Sequence, residues 1–145
     1  MKISIACDHG GFELKEIVKK WLSENNYEVV DFGTNSLDSC DYPDFGRPAC
    51  EAVRDKVCDR GIVICTTGIG MSIVANKVKT IRCALVSNVE GASLTRRHND
   101  TNVLALGAKF TDPSLAKEII KTWLETPFEG GRHQRRVDKI MAIEE

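Results

Sequence analysis

The sequence lacks several features that would place it in a specialised class of protein. Its net charge is −1, so it has no basic excess for binding nucleic acid or an anionic membrane. The first apolar run, Ile3 to Cys7, is too short for a signal peptide or a membrane span. The six cysteines include no C-x-x-C pair, and their spacing fits neither a zinc site nor a compact disulfide framework. These absences predict a reduced, cytoplasmic protein with no nucleic-acid or membrane partner.

What the sequence does contain is a regular alternation of strand-like and helix-like segments, without internal repeats or flexible linkers. The predicted strands cover residues 3–7, 28–32, 61–65, 82–87 and 102–106. One intervening helix is expected over about 48–57, with Pro48 in its first turn, and the last follows the Asp112 cap. This order predicts one α/β domain: a doubly wound, three-layer, Rossmann-like parallel sheet of five strands, in the flavodoxin-like order 2-1-3-4-5.

A C-terminal extension, residues 128–145, follows the doubly wound core of residues 1–127. Val137, Ile140 and Met141 give it a short apolar stripe. A helix this short is not stable alone in water. It must therefore dock on its own domain or on a partner subunit, and we expect packing on a partner in a homo-oligomer.

The most informative segment follows the third predicted strand, where Cys65 precedes a Thr/Gly loop and an apparent helix start near Gly70. Free backbone N–H groups at such a loop favour anions. The loop has Met71 where a C-x5-R phosphatase has arginine, and it lacks the lysine of a Walker loop and the third glycine of a dinucleotide fingerprint. An anion or oxyanion cradle remains. Cys65 is then either a buried strand-end thiol or a thiolate that removes a proton.

Other polar clusters have both structural and functional interpretations. Asp8 and His9 follow the first strand, which neighbours the third at the predicted switch point, so they are expected to share a crevice with Cys65. His98 lies in a cationic helix end and could be an acid–base group or a favourable charge there. Arg132 and Arg136 share a helical face that suits either phosphate or solvent. No ligand spacing among the histidines and cysteines supports a metal site, so no metal is predicted.

Five motifs together resemble the type B ribose-5-phosphate isomerases over essentially the whole chain, a family that also includes galactose- and allose-6-phosphate isomerases. They are Cys-Asp-His-Gly-Gly at 7–11, Asp-Tyr-Pro at 41–43, Ile-Cys-Thr-Thr-Gly-Ile-Gly-Met-Ser at 64–72, Arg-His-Asn-Asp-Thr-Asn at 97–102 and Glu-Gly-Gly-Arg-His-Gln-Arg-Arg-Val at 129–137. The resemblance implies interconversion of ribose 5-phosphate and ribulose 5-phosphate, a step of the pentose phosphate pathway, without metal or organic cofactor. It also implies a homodimer or a dimer of dimers, with active sites completed across the subunit interface.

The resemblance also assigns roles to residues of this chain. Cys65 would be the base that moves the C2 proton to C1, and His98 would open the furanose ring, with Asp8 and Thr67 assisting at the sugar hydroxyls. The remaining implied contacts are Thr66, Gly68, Ile69, Gly70 and Asn99 for the enediolate oxygen, His9, Arg132 and Arg136 for the phosphate, and Tyr42 for the sugar.

Two positions depart from the family pattern. Thr66 stands where relatives often have glycine, and Lys109 stands where some have an arginine that reaches the phosphate. A lysine keeps the charge but loses the bidentate fork. The sequence leaves three other functions open: the same chemistry on a six-carbon sugar phosphate, a non-catalytic phosphosugar-binding module, and redox sensing through Cys65.

Overall fold

The computed structural model describes residues 1–144 and has five parallel strands between helices. The strands are β1 (Lys2–Cys7), β2 (Glu28–Asp31), β3 (Arg60–Cys65), β4 (Cys83–Leu85) and β5 (Val103–Gly107). The helices are α1 (Phe12–Glu24), α2 (Pro43–Arg54), α3 (Ile69–Asn76), α4 (Val89–Asn99), α5 (Pro113–Glu125) and α6 (Arg132–Ala142), with a 3-10 turn at His9–Gly11. The predicted α/β class with a five-stranded parallel sheet is confirmed.

Helices cover both faces of the sheet, because successive strand residues point to opposite sides. In β3, Ile62 and Ile64 enter the core formed with α1, α4 and α5. Val63 and Cys65 enter the second core, formed with α2 and α3. The Cys65 thiol therefore lies on the α2/α3 side of the sheet. None of the helices over residues 1–144 is long and apolar enough to cross a membrane.

The predicted strand order is wrong at one end of the sheet. The order is 2-1-3-5-4, with β5 between β3 and β4, instead of 2-1-3-4-5. β5 is buried along its whole length and suits an interior position. β4 has three residues, none fully buried, and suits an edge. The switch point between β1 and β3 is where the sequence predicts it, because both orders share the first three positions.

The second helix begins earlier than predicted. α2 starts at Pro43, which occupies the first-turn position that the sequence analysis gave to Pro48. Pro48 lies inside the helix. Because proline has no N–H, the backbone carbonyl oxygen of the exposed Asp44, four residues earlier, lacks its helical hydrogen bond. Water can hydrate that carbonyl, so the helix continues through the proline.

The C-terminal helix α6 packs on α4 of its own chain, with Val137 as its one buried residue among those described. Beyond it, the Glu144 carboxylate accepts the Thr80 N–H at 2.9 and 3.0 Å. Ile140 and Ile143 remain exposed. Glu145, the end of the predicted extension, lies outside the described residues.

Candidate active site

Cys65 ends β3 with its side chain held by the loop that follows. The residue is 5% exposed, and the Gly68 N–H donates to its Sγ at 3.1 Å. Gly68 caps α3 in the left-handed conformation (φ 79°), which favours glycine. The first N–H groups of α3 have no partner within the helix and can receive a negatively charged oxygen. The Cys65 thiol therefore lies at the bottom of the predicted oxyanion cradle.

Gly107 supports this loop but was not predicted from the sequence as a site residue. A Cβ there would lie 2.4 Å from the Thr67 carbonyl oxygen, so the close approach of β5 to the loop requires glycine. The approach is reciprocal, since a Cβ on Gly68 would lie 2.8 Å from the Leu106 carbonyl carbon. No local sequence signal marked Gly107, because the contact depends on β5 lying beside β3.

A crevice of about 400 Å³ opens above Cys65 at the switch point. It is lined by Asp8, Tyr42, Cys65, Thr66, Thr67, Ile69, Gly70 and Ile73. Asp8 follows β1 and is 6% exposed, and its Oδ1 accepts the N–H groups of Gly10 at 2.9 Å and Gly11 at 3.1 Å. The expected convergence of Asp8 with Cys65 is present, and a carboxylate and a thiol share one opening.

The Tyr42 ring closes one side of this crevice. It lies against Gly70, where an added Cβ would be 2.7 Å from Tyr42 Cζ. Tyr42 is 38% exposed, so much of the ring is open to solvent. A glycine at position 70 therefore lets the aromatic ring approach the first turn of α3.

His9 lies outside the residues that line this crevice. Its Nδ1 accepts the Cys40 N–H at 3.2 Å. A neutral imidazole that accepts at Nδ1 carries its proton on Nε2. His9 can therefore present Nε2–H as a donor to an anion, which is the property its predicted phosphate role needs.

The two departures from the family pattern, Thr66 and Lys109, lie side by side. The Lys109 N–H donates to the Thr66 carbonyl oxygen at 2.9 Å. Thr66 Oγ1 fills the space beside Gly10, where an added Cβ would lie 2.0 Å away. Both residues line a cleft of about 420 Å³ that also includes Thr111. The exposed Lys109 side chain thus lies at the rim of this cleft, beside Thr66.

The remaining predicted residues form a second group on α4 and α6. The His98 ring stacks on His133 with centroids 4.4 Å apart and planes 14° apart. His98 Nε2 lies 3.9 Å from Glu129 Oε1, and Arg97 Nη2 lies 3.5 Å from the same oxygen. Desolvation, with the nearby His98 and Arg132, lowers the pKa of His133. Glu129 and His133 lie in the motif at 129–137 but were not predicted as site residues.

Within one chain, the two groups lie at opposite ends of the strands. The Gly61 N–H donates to the Asn102 carbonyl oxygen at 3.0 Å, which places the end of α4 beside the start of β3. Cys65 is four residues further along β3, roughly 13 Å at the rise of a strand. Asn99, Arg132 and Arg136 lie with His98 on the α4/α6 side. A single chain therefore brings Cys65 together with Asp8 and Tyr42 but leaves His98 distant.

Comparison with known proteins gives consistent matches over the full length of the chain. Residues 3–140 match the family model described as Ribose/Galactose Isomerase. The chain is 47% identical over 144 residues to ribose-5-phosphate isomerase B of Escherichia coli (strain K12), which covers 99% of this chain and 97% of that protein.

Solved structures show the same similarity. Ribose-5-phosphate isomerase B of Clostridium thermocellum aligns with a TM-score of 0.98 and 53% identity, covering 99% of this chain and 97% of that chain. Ribose-5-phosphate isomerase B of Mycoplasma genitalium with bound ribulose-5-phosphate aligns with a TM-score of 0.94 and 43% identity, covering 99% and 95%.

Proposed function

The chain belongs to the ribose/galactose isomerase family, and we propose that it interconverts D-ribose 5-phosphate and D-ribulose 5-phosphate. The observation that carries this proposal is the arrangement of Cys65, whose Sγ accepts the Gly68 N–H beside the Asp8 carboxylate and below a sugar-sized crevice. The names of its relatives and the ribulose-5-phosphate complex of the Mycoplasma genitalium protein support the choice of substrate.

Cys65 acts as the base in this proposal. Its thiolate removes the proton from C2 of the open-chain aldose, and the C–H electron pair forms the C1=C2 double bond while the carbonyl oxygen O1 takes the negative charge. The proton on O2 passes to O1, and Cys65 returns its proton to C1, which leaves a carbonyl at C2. Asp8 and Thr67 line the crevice and assist these transfers at the hydroxyls.

The negative charge that develops on oxygen is stabilised by backbone N–H groups of the loop from Thr66 to Gly70. These groups are fixed before the reaction because Gly68 and Gly107 hold the loop against β5. Loss of one oxyanion donor in other enzymes costs about 10²–10³ in rate. The loop is therefore expected to supply a large part of the catalysis.

A second copy of the chain completes the site in this proposal. It contributes His98 for ring opening, Asn99 beside the enediolate, and Arg132 and Arg136 for the phosphate, because α4 and α6 of the same chain lie at the other end of β3 from Cys65. The crevice has an exposed apolar rim that a partner would cover. Ile69 (52% exposed) and Ile73 (58%) line the crevice itself, and Leu85 (43%) and Phe110 (59%) line the neighbouring cleft that shares Thr67 and Ile69 with it. We therefore propose a homodimer or a dimer of dimers.

The phosphate anchors the substrate away from the reacting carbons. Two guanidinium groups one helical turn apart can hold it with paired hydrogen bonds, and His9 adds its Nε2–H donor. Binding energy from this remote group orients the open-chain sugar against Cys65. No metal or organic cofactor takes part in these steps. The described cysteines are all free thiols, which suits the cytoplasm that we propose as the location.

The test is a comparison of kcat/KM on ribose 5-phosphate and allose 6-phosphate with EDTA present. We expect turnover of ribose 5-phosphate with a clear preference over the hexose. A preference for allose 6-phosphate would keep the chemistry and replace the substrate. Saturable binding of both sugars without turnover would overturn the isomerase assignment and favour a phosphosugar-binding module.

A further inference from the structure

Three side chains of types that can bind a metal ion cluster on the α4/α6 side of the chain. His98, Glu129 and His133 each offer one donor atom, and these atoms all lie within 4.8 Å of one another. His98 ends α4, Glu129 precedes α6, and His133 lies in the first turn of α6. The Glu129 N–H donates to the Arg97 carbonyl oxygen at 3.1 Å, so the backbone itself joins the two helices at this point.

The donor set fits a transition-metal ion of the zinc type. Two imidazole nitrogens and one carboxylate oxygen are the ligands of many catalytic zinc sites, and bonds of about 2.0–2.1 Å place ligand atoms about 3.3 Å apart in a tetrahedron. His98 Nε2 and Glu129 Oε1 are already 3.9 Å apart. The His98 and His133 rings are stacked with their planes only 14° apart, and an imidazole lone pair lies in the plane of its ring, so one ring must rotate out of the stack before both nitrogens can reach one ion. His98 and Glu129 are partly exposed, at 39% and 38%, which leaves the His98 ring room to rotate.

We propose that His98, Glu129 and His133 form a binding site for Zn²⁺ or a similar divalent ion, and that its occupation inhibits the enzyme. The ion takes one lone pair from each imidazole and one from the carboxylate, which leaves a fourth position for water. A metallated His98 nitrogen cannot exchange a proton. The inhibitory part rests on the proposed ring-opening role of His98, whereas the binding site itself does not.

The surrounding charges set the strength of this site. Arg97 pairs with Glu129 at 3.5 Å and must give up part of that contact when the carboxylate turns to a metal. Arg132 and Arg136 add positive charge on the same helix. Both effects weaken binding of a dication. The site is therefore expected to be reversible and to be emptied by EDTA, unlike a structural zinc site.

Binding can be measured without activity by titrating the metal-free protein with Co²⁺. We expect saturation at one ion per chain, with the intense visible bands of tetrahedral nitrogen and oxygen coordination. Glu129→Gln and His133→Gln should each weaken the binding by at least about tenfold. Asp138→Asn, which removes an exposed carboxylate of the same helix from outside the cluster, should bind as the wild type does.

Thiol coordination is the competing explanation, and Cys65→Ser separates the two. Retained Co²⁺ bands in Cys65→Ser support the proposed cluster, whereas loss of the bands there, or their persistence in Glu129→Gln and His133→Gln, overturns it. Inhibition is then measured with Zn²⁺ on ribose 5-phosphate turnover, where His133→Gln should raise the inhibitory concentration about tenfold. Cobalt binding in a protein that turns over no sugar would reject the proposed function and leave the metal site standing.

Discussion

Complementation between two inactive variants tests the division of the active site most directly. Cys65→Ala removes the proposed base, and His98→Asn removes the proposed ring-opening group. Each homodimer should lose nearly all turnover of ribose 5-phosphate, while Cys65→Ala still binds the sugar phosphate. The two chains can be co-expressed with different affinity tags, so that purification on both tags isolates the mixed dimer.

The expected activity of the mixed dimer follows from where the two residues lie. The end of α4 lies beside the start of β3, roughly 13 Å along the strand from Cys65, so in the proposed dimer each site takes Cys65 from one chain and His98 from the other. In the mixed dimer, one site then carries both mutations and the other carries neither. The preparation should show about half of the wild-type kcat per dimer, with an unchanged KM.

A reciprocal control makes the result decisive. A mixed dimer of wild-type chain and the double variant Cys65→Ala/His98→Asn has one mutation in each shared site and should be inactive. If each chain contained a whole site, the outcomes would be exchanged: the first mixed dimer would be inactive and the second about half active. That exchange would refute the assignment of His98 to the partner's site.

Three further predictions concern the phosphate site and the core. Arg136→Ala should raise KM for ribose 5-phosphate well above its effect on kcat, and an unchanged KM in steady-state assays would remove Arg136 from the phosphate site. Asp31→Asn should lower the free energy of unfolding by about 3 kcal/mol in urea titrations at pH 7, because it leaves the fully buried Lys15 ammonium without its 2.9 Å ion pair. Burial opposes ionisation of Asp31, but hydrogen bonds from Lys15, the Gly33 N–H and Lys19 outweigh it and hold the pKa below its ordinary value of 3.8. The wild-type advantage over Asp31→Asn is therefore complete above about pH 3.8 and shrinks as the pH falls through the lower folded pKa, whereas a pH-independent gap would contradict the ion-pair account. Burial also raises the pKa of Cys7 and of Cys50 to about 12, so brief iodoacetamide treatment at pH 8 should leave both unmodified in peptide maps, and their labelling before Cys65 would contradict this burial.

Local sequence patterns were sufficient to predict the class of the fold and the switch point. The Asp112 cap is confirmed, since its carboxylate accepts the Leu115 N–H at 2.8 Å. Local patterns did not predict where α2 begins. Either Pro43 or Pro48 could occupy its first turn, and only packing of the whole helix decides between them. The order of β4 and β5 was beyond local patterns as well, because the strand predicted over 82–87 covers only Cys83–Leu85 in the structure, and this shortness is what suits β4 to the edge.

The residues of the candidate site stay a prediction from the sequence, and their arrangement was predictable only in part. Cys65 and Asp8 follow strands that are neighbours, so the sheet topology brings them together. The pairing of His98 with Glu129 and His133 depends on how α6 docks on α4. Such contacts between separate elements arise from tertiary packing, which short-range spacing does not encode.

The strand order that the sequence failed to predict is what supports the reactive loop. β5 pairs with β3 so that Gly107 lies opposite Cys65, and the ladder continues beyond the strand through the Ala108 N–H, which donates to the Cys65 carbonyl oxygen at 2.9 Å. The Lys109 N–H does the same for Thr66. These bonds hold the backbone on both sides of the thiol. β4, three residues long and partly exposed, could not provide this support in the same position. The fully buried β5 therefore has to occupy the place next to β3 for the proposed base and its proposed oxyanion loop to be held rigidly.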